Sequence, residues 1–223
     1  MKNFDMNMSI GDSVTLYPVL SGVYMQYGID FCCGGERTVA TALDDTKEKQ
    51  EVVLKAIEET LIALEASGES TRKLSEMTNQ ELIDNIVHNH HGYLRRILPE
   101  LGIKLFKLIE VHGQSHPELF EVHHLVGMLR IELEAHLVKE EQQLFPLILD
   151  GDTTKVEKLI YELEKEHDAA GDILKRLTVI TDHFKVPKDG CATYSVTYGD
   201  LQQLQADMYQ HVHKENNVLF QRF

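Results

Sequence analysis

The sequence predicts an all-α protein: a small N-terminal helical domain followed by an up-down-up-down four-helix bundle. Three observations carry this expectation. Apolar residues recur at spacings of three and four along four long segments beyond residue 79, the period of a helix face. The breaks between those segments are mostly short and hold Gly or Pro, which suits antiparallel neighbours. Histidine divides the chain sharply, because all 12 lie at or after His88. No strand-like alternation competes.

In chain order, Gly11–Tyr27 carries Val14, Leu16, Val19, Leu20, Val23 and Tyr24 on a helical period, and Gly28 suits a left-handed cap at its end. A Cys-Cys-Gly-Gly turn follows, then a short helix over "ERTVATAL" and an amphipathic helix over Glu48–Glu65. We set the first domain at 1–66, a small, polar linker at 67–78 and the bundle at 79–223. Thr78-Asn79-Gln80-Glu81 has the capping-box pattern that opens a helix. The four bundle helices are expected over Asn79–Val111, Pro117–Leu149, Thr153–Phe184 and Tyr198–Phe220.

Composition excludes several roles. With 223 residues and 43% hydrophobic content, the chain can bury a sizeable core. A formal net charge of −14 argues against nucleic acid or an anionic membrane as partner, since both need a basic face. The start "MKNFDMNMSIGD" has no apolar stretch of the secretory kind, and no run approaches the roughly 20 apolar residues of a membrane span. Three cysteines, two of them adjacent, do not make a disulfide framework. The expectation is a cytoplasmic protein with reduced thiols.

The last three bundle segments each carry one apolar seam into which polar residues intrude. Val126, Leu129 and Leu133 lead to His136 and Glu140, then Leu144 and Leu147; Val156, Ile160 and Leu163 lead to His167, then Ala170, Leu174 and Leu177; Leu201, Leu204 and Met208 lead to His211, Glu215 and Leu219. A buried, unpaired carboxylate is expensive, and a shared metal removes the expense. His136/Glu140 and His211/Glu215 are i, i+4 pairs that project from one helix face. Their carboxylates can bridge two ions, and the first and third helices would add one imidazole each. In an antiparallel bundle His91, His136 and His167 fall at matching heights, whereas His112 stands 21 residues beyond His91, roughly 31 Å along a continuous helix. Periodicity leaves His90 and His91 equal. A lone seam histidine is ordinarily a hydrogen-bonded core residue; two aligned His-x-x-x-Glu pairs with level histidines outweigh that explanation here. His88, His116, His123, His124, His183 and His213 keep it, as surface or outer residues. Glu141 and Asp168 are weaker candidates for outer partners of the ligands. Nitrogen and carboxylate donors without thiolate suit iron or manganese, with zinc as a further option, and leave room for a small diatomic molecule or peroxide.

The segments "HLVKEEQQLFPLI" (136–148), "EKEHDAAG" (164–171) and "HVHKENNVLF" (211–220) resemble the hemerythrin-like cation-binding domain, and "YGIDFCCGG" resembles the short N-terminal domain of the Repair of Iron Centres proteins. The resemblance implies a non-haem di-iron centre bridged by Glu140, Glu215 and an oxo or hydroxo group, in a cytoplasmic homodimer that restores iron-sulfur clusters damaged by nitric oxide or oxidants. It implies His136, Glu140, His167, His211 and Glu215 as ligands. The family's first-helix ligand stands eight residues before a "PEL" sequence, here Pro99-Glu100-Leu101, which points to His91. His112 matches a histidine common in the family; its height keeps it out of the site. Damaged iron-sulfur proteins or their assembly machinery, and nitric oxide or oxygen species, are the implied partners. An oxygen or nitric oxide carrier or sensor, and a nitric oxide or peroxide reductase, are the alternatives.

Cys32 and Cys33 admit four explanations: a structural turn, a zinc site from this pair alone, which four-ligand zinc disfavours, thiolates of two chains pooled across a dimer around zinc or an iron-sulfur cluster, or a redox or iron-handling thiol pair. A helix starting at Glu36 would lower their pKa, and Gly34 and Gly35 would allow close approach by a partner or by the di-iron domain. Cys191, in a loop, is incidental on this view.

Overall fold

The computed structural model describes residues 4–44, 50–67, 74–151 and 153–223. Among these the protein is helical, with one isolated bridge between Ser9 and Thr38. By internal contacts the chain divides into two compact units, Met1–Leu82 with Tyr209–Phe223, and Ile83–Met208.

The first unit begins with α1 (Ile10–Leu16), α2 (Leu20–Gln26), α3 (Val39–Asp44) and α4 (Gln50–Ser67). One helix was expected over Gly11–Tyr27, but two form. Pro18 lacks the amide that would continue the ladder, and the chain restarts with Leu20 N–H donating to the Tyr17 carbonyl at 2.9 Å. Ser9 caps α1 through the Asp12 amide. Gly28 takes φ of 69° after α2, the left-handed conformation expected there. The "ERTVATAL" helix starts later than expected, at Val39. Of the linker, residues 68–73 lie outside the described residues, as do residues 48–49 of the expected Glu48 helix. Ile10, Leu20, Tyr24, Phe31, Leu43, Val53 and Ile57 form the core of this unit, with Tyr209 packed against it. Each such large side chain contributes roughly 1.5–3 kcal/mol by leaving water.

Thr78 opens the next helix by a reciprocal box: its amide donates to Glu81 Oε2 at 2.8 Å, and the Glu81 amide donates to Thr78 Oγ1 at 3.2 Å. The helix runs as α5 (Asn79–Ile86), a π-turn (Val87–His91) and α6 (Gly92–His112). Then follow α7 (Glu118–Lys139), a π-turn (Glu140–Leu144), α8 (Phe145–Asp150), α9 (Thr153–Ile180) and α10 (Ala192–Lys214), which ends in a π-turn (Glu215–Leu219). Residue 152, within the expected "DGDTT" break, lies outside the described residues.

The second unit is the helical bundle. Leu94, Leu98, Leu101 and Leu105 of α6, Val126, Leu129 and Leu133 of α7, Leu163, Leu174 and Leu177 of α9 and Leu201 and Leu204 of α10 are buried. Two helix limits differ from expectation. α9 stops at Ile180, because Asp182, His183 and Phe184 all take positive φ. α10 begins at Ala192, six residues early, with the Ser195 amide donating to the Cys191 carbonyl at 3.1 Å. None of the helices of the described residues is long and apolar enough to cross a membrane.

Thr78→Ala removes half of the box and should lower the unfolding free energy by about 1 kcal/mol. Urea unfolding would report this as a lower midpoint at unchanged slope; an unmoved midpoint would show that the box contributes nothing.

Candidate metal centre

Three of the long helices widen where an expected ligand sits. His91 closes the π-turn Val87–His91, while Glu140 and Glu215 open theirs. A π-turn adds one residue to a helical turn and is frequent at functional sites. The added residue moves the stripe by about 100°. In the first helix Ile83, Ile86 and His90 follow one phase and His91, Leu94 and Leu98 the next, so both histidines are buried. In the second, the buried seam past Glu140 is Leu144, Phe145 and Ile148, and the expected Leu147 gives way to Ile148.

His91 Nε2 stands 3.4 Å from Glu140 Oε2, and His136 Nε2 stands 3.4 Å from Glu140 Oε1. One carboxylate thus presents an oxygen to each of two imidazoles. His167 Nε2 lies 3.1 Å from His136 Nε2. At the end of α10, His211 Nε2 is 2.9 Å from Glu215 Oε1. Two sets of four buried side chains offer ligand atoms within 4.8 Å of one another: His91, Glu140, His211 and Glu215, and His136, Glu140, His167 and Glu215. Both carboxylates are common to the two sets.

These residues fit metal ions. Glu140 and Glu215 are 0% exposed, and a carboxylate held that deep needs strong compensation. Ligands about 2.1 Å from one ion stand roughly 3–3.5 Å apart, the range of the nitrogen–oxygen separations found. The donors are imidazole and carboxylate, the set that suits iron.

Outer carboxylates hold the rings. His91 Nδ1 is 2.7 Å from Glu141 Oε1, and His136 Nδ1 is 2.8 Å from Glu166 Oε2. With Nδ1–H donated outward, each Nε2 lone pair faces Glu140, the arrangement ligating imidazoles use. Burial pushes Glu141 up, but Arg95 and His91 together hold its pKa below the usual carboxylate value. The bond to His136 lowers Glu166 to about 2, with burial opposing and Lys139 assisting. His90 turns away, with Nδ1 2.8 Å from Asp207 Oδ1.

The expected outer partner Glu141 is therefore in place. Asp168 is exposed and touches neither metal set, since it follows His167 onto the solvent side. Glu166 was missed: it adjoins His167 yet serves His136 on another helix, and no spacing within one segment signals that. His112 belongs to neither set, its Nε2 lying 3.3 Å from Cys191 Sγ. His213 is buried rather than superficial, against Phe31 and Thr15; burial lowers its pKa to about 4.

The thiol turn is organised by Asp30. Its Oδ1 accepts from the amides of Cys32, Cys33 and Gly34 at 3.1, 3.1 and 3.2 Å and from Cys32 Sγ at 3.3 Å. The thiols are free, with Sγ atoms 4.0 Å apart. The expected helix at Glu36 is absent, so its amides do not activate the pair. The bond to Cys33, then burial, pushes the Cys32 pKa well above its ordinary value, opposite to expectation.

Comparison with known proteins accords with this geometry. Residues 82–223 match the family described as hemerythrin HHE cation binding domain, and residues 6–64 match ScdA_N, described as a domain of unknown function. The iron-sulfur cluster repair protein YtfE of Enterobacter sp. (strain 638) is 33% identical over 213 residues, covering 96% of this chain and 94% of that protein. The iron-sulfur cluster repair protein ScdA of Staphylococcus epidermidis is 29% identical over 218 residues, 96% of each chain. YtfE of Citrobacter koseri is 32% identical over 214 residues, 96% of this chain and 94% of that protein.

The third cysteine differs from the pair. His112, then the Tyr194 amide, lowers Cys191 to about 7. Its thiolate therefore predominates above that pH. The alkylation rate of Cys191 should rise through pH about 7 and then level, and His112→Ala should move the midpoint upward. A midpoint unchanged by that substitution would remove His112 as the cause.

Proposed function

The chain belongs to the hemerythrin HHE cation-binding family, and on that premise we propose that it repairs iron-sulfur clusters damaged by nitrosative or oxidative stress through a non-haem di-iron centre. The observation that carries the proposal is Glu140, fully buried, with one oxygen toward His91 and the other toward His136, each at 3.4 Å. The names of the relatives, iron-sulfur cluster repair proteins matched over 96% of this chain, supply the biological direction. Damaged iron-sulfur proteins are the clients, and the working compartment is the cytoplasm, where three free thiols stay reduced.

His91 and His211 would hold one iron, His136 and His167 the other, with Glu140 and Glu215 shared between them, as the two sets of ligand atoms suggest. Iron held there supplies the metal for a client and redox capacity toward nitric oxide or peroxide. The chain's own residues do the remainder. Glu141 and Glu166 keep the Nδ1 protons of His91 and His136 on the outer side. The buried Leu94, Leu133 and Leu163 around the seam exclude bulk water, which strengthens every charge interaction inside. Cys32 and Cys33, held by Asp30, are the transfer thiols.

Anaerobic loading should give two irons per chain with an oxo-bridge absorption after exposure to oxygen. Glu140→Ala should lose most of the iron; one iron per chain, or both retained in that variant, would sink the bridged centre. A Cys32→Ser/Cys33→Ser double variant should load iron normally yet restore a damaged iron-sulfur enzyme poorly. Undiminished restoration would instead favour a carrier or sensor that works without thiols.

A further inference from the structure

The end of the last helix carries two stripes. His211, Glu215 and Leu219 form one. Tyr209, His213 and Asn217 form the other, offset by two residues, or about 200°. The second stripe meets the N-terminal segment at every turn. Tyr209 and His213 pack edge-on against Phe31 with ring centroids 6.0 and 5.8 Å away, and His213 Nε2 lies 3.4 Å from Thr15 Oγ1. Asn217 reaches furthest, its Nδ2 donating to the Cys32 carbonyl at 2.9 Å.

The fit around Asn217 explains two glycines. A Cβ on Gly11 would stand 2.8 Å from Asn217 Cγ, and one on Gly35 would stand 2.9 Å from it. Neither glycine has positive φ; Gly28 and Gly151 do. Gly11 and Gly35 are thus needed for space rather than for backbone conformation. They are themselves joined, the Gly11 amide donating to the Gly35 carbonyl at 2.9 Å. The amide of Asn217 occupies a slot that only two missing side chains leave open.

We propose that Asn217 is the positioning residue of the thiol pair: seated in the slot of Gly11 and Gly35, it clamps the Cys32 carbonyl and sets how far the Cys32 thiol is withdrawn from solvent. Cys32 is 4% exposed. Asp30 holds the turn from inside, and Asn217 holds it from the helix turn that begins at Glu215. The exposure of the thiol is thereby tied to the turn that carries a proposed metal ligand. The inference rests on the transfer role of the thiols for its functional meaning, while its test needs no repair assay.

The test is alkylation of the full-length, iron-loaded protein by iodoacetamide, with Cys32, Cys33 and Cys191 resolved by peptide mass spectrometry. Asn217→Ala and Gly35→Ala should each raise the Cys32 rate about fivefold, the scale of one lost hydrogen bond. Together they should raise it no further than either alone, because both act by removing the Asn217 amide from the same slot, one by truncating it and the other by displacing it with a Cβ. Asn217→Asp keeps the volume but replaces the donor by a carboxylate oxygen facing the Cys32 carbonyl, and should raise the rate at least as much as Asn217→Ala. The Cys191 rate, remote from the clamp in sequence and contacts, should stay unchanged. A Cys32 rate unaltered in Asn217→Ala, effects that multiply in the double variant, or a parallel rise at Cys191 would each overturn the proposal.

Discussion

Two carboxylates with no exposure, Glu140 and Glu215, impose the constraint on which the rest of the structure depends. A charged carboxylate loses several kcal/mol on leaving water unless its surroundings replace the hydration. Imidazoles from several helices have to converge on it, and straight α-helices with an apolar seam do not bring them there. The π-turns Val87–His91, Glu140–Leu144 and Glu215–Leu219 are the local response. Each gives up regular hydrogen bonding over one turn and gains a side chain directed inward. The helix α9, which contributes only His167, is unbroken α-helix from Thr153 to Ile180.

A second layer of charge follows from the first. Imidazoles that ligate need a fixed proton on the other nitrogen, so carboxylates must also stand behind the rings. Glu141 and Glu166 do this for His91 and His136. They are in turn held by cations at the rim, Glu141 by Arg95 at 2.9 Å and Glu166 by Lys139. Hydrogen-bonding partners thus succeed one another outward from the centre: carboxylate, imidazole, carboxylate, then Arg or Lys.

Most of the fold was legible because helix periodicity and caps are local. Thr78 and Glu81 announce their helix within four residues, and Gly28 announces an end. The seam residues Leu129, Leu133, Leu163 and Leu204 were legible for the same reason. Two of the departures are local as well. Pro18 was overlooked inside an otherwise good apolar period. The π-turns were invisible because periodicity assumes a constant 3.6 residues per turn, and this made His90 and His91 indistinguishable. One inserted residue lets each histidine continue a different stripe. Contacts between distant segments, such as His136 with Glu166 or Cys32 with Asn217, leave no mark in the spacing of either partner. The adjacent cysteines are conspicuous in the sequence, but the sign of the Cys32 shift depends on the bond to Cys33, then on burial and on Asp30, a geometry that composition does not reveal.

The two stripes at the chain's end bear on what the thiols can do. His211 and Glu215 project from one side of the helix, and the clamp of Asn217 on the thiol turn lies on the other. An α-helix with its side chains is about 10 Å across, far beyond the reach of a thiolate–metal bond of about 2.3 Å. In this arrangement the cysteines stand behind the helix that carries His211 and Glu215, and do not complete their ligand set. A role in transfer then requires the thiol turn to leave its slot against the last helix, where Asn217 Nδ2 donates to the Phe31 and Cys32 carbonyls and Phe31 packs on Tyr209 and His213, while Asp30 keeps the turn itself together.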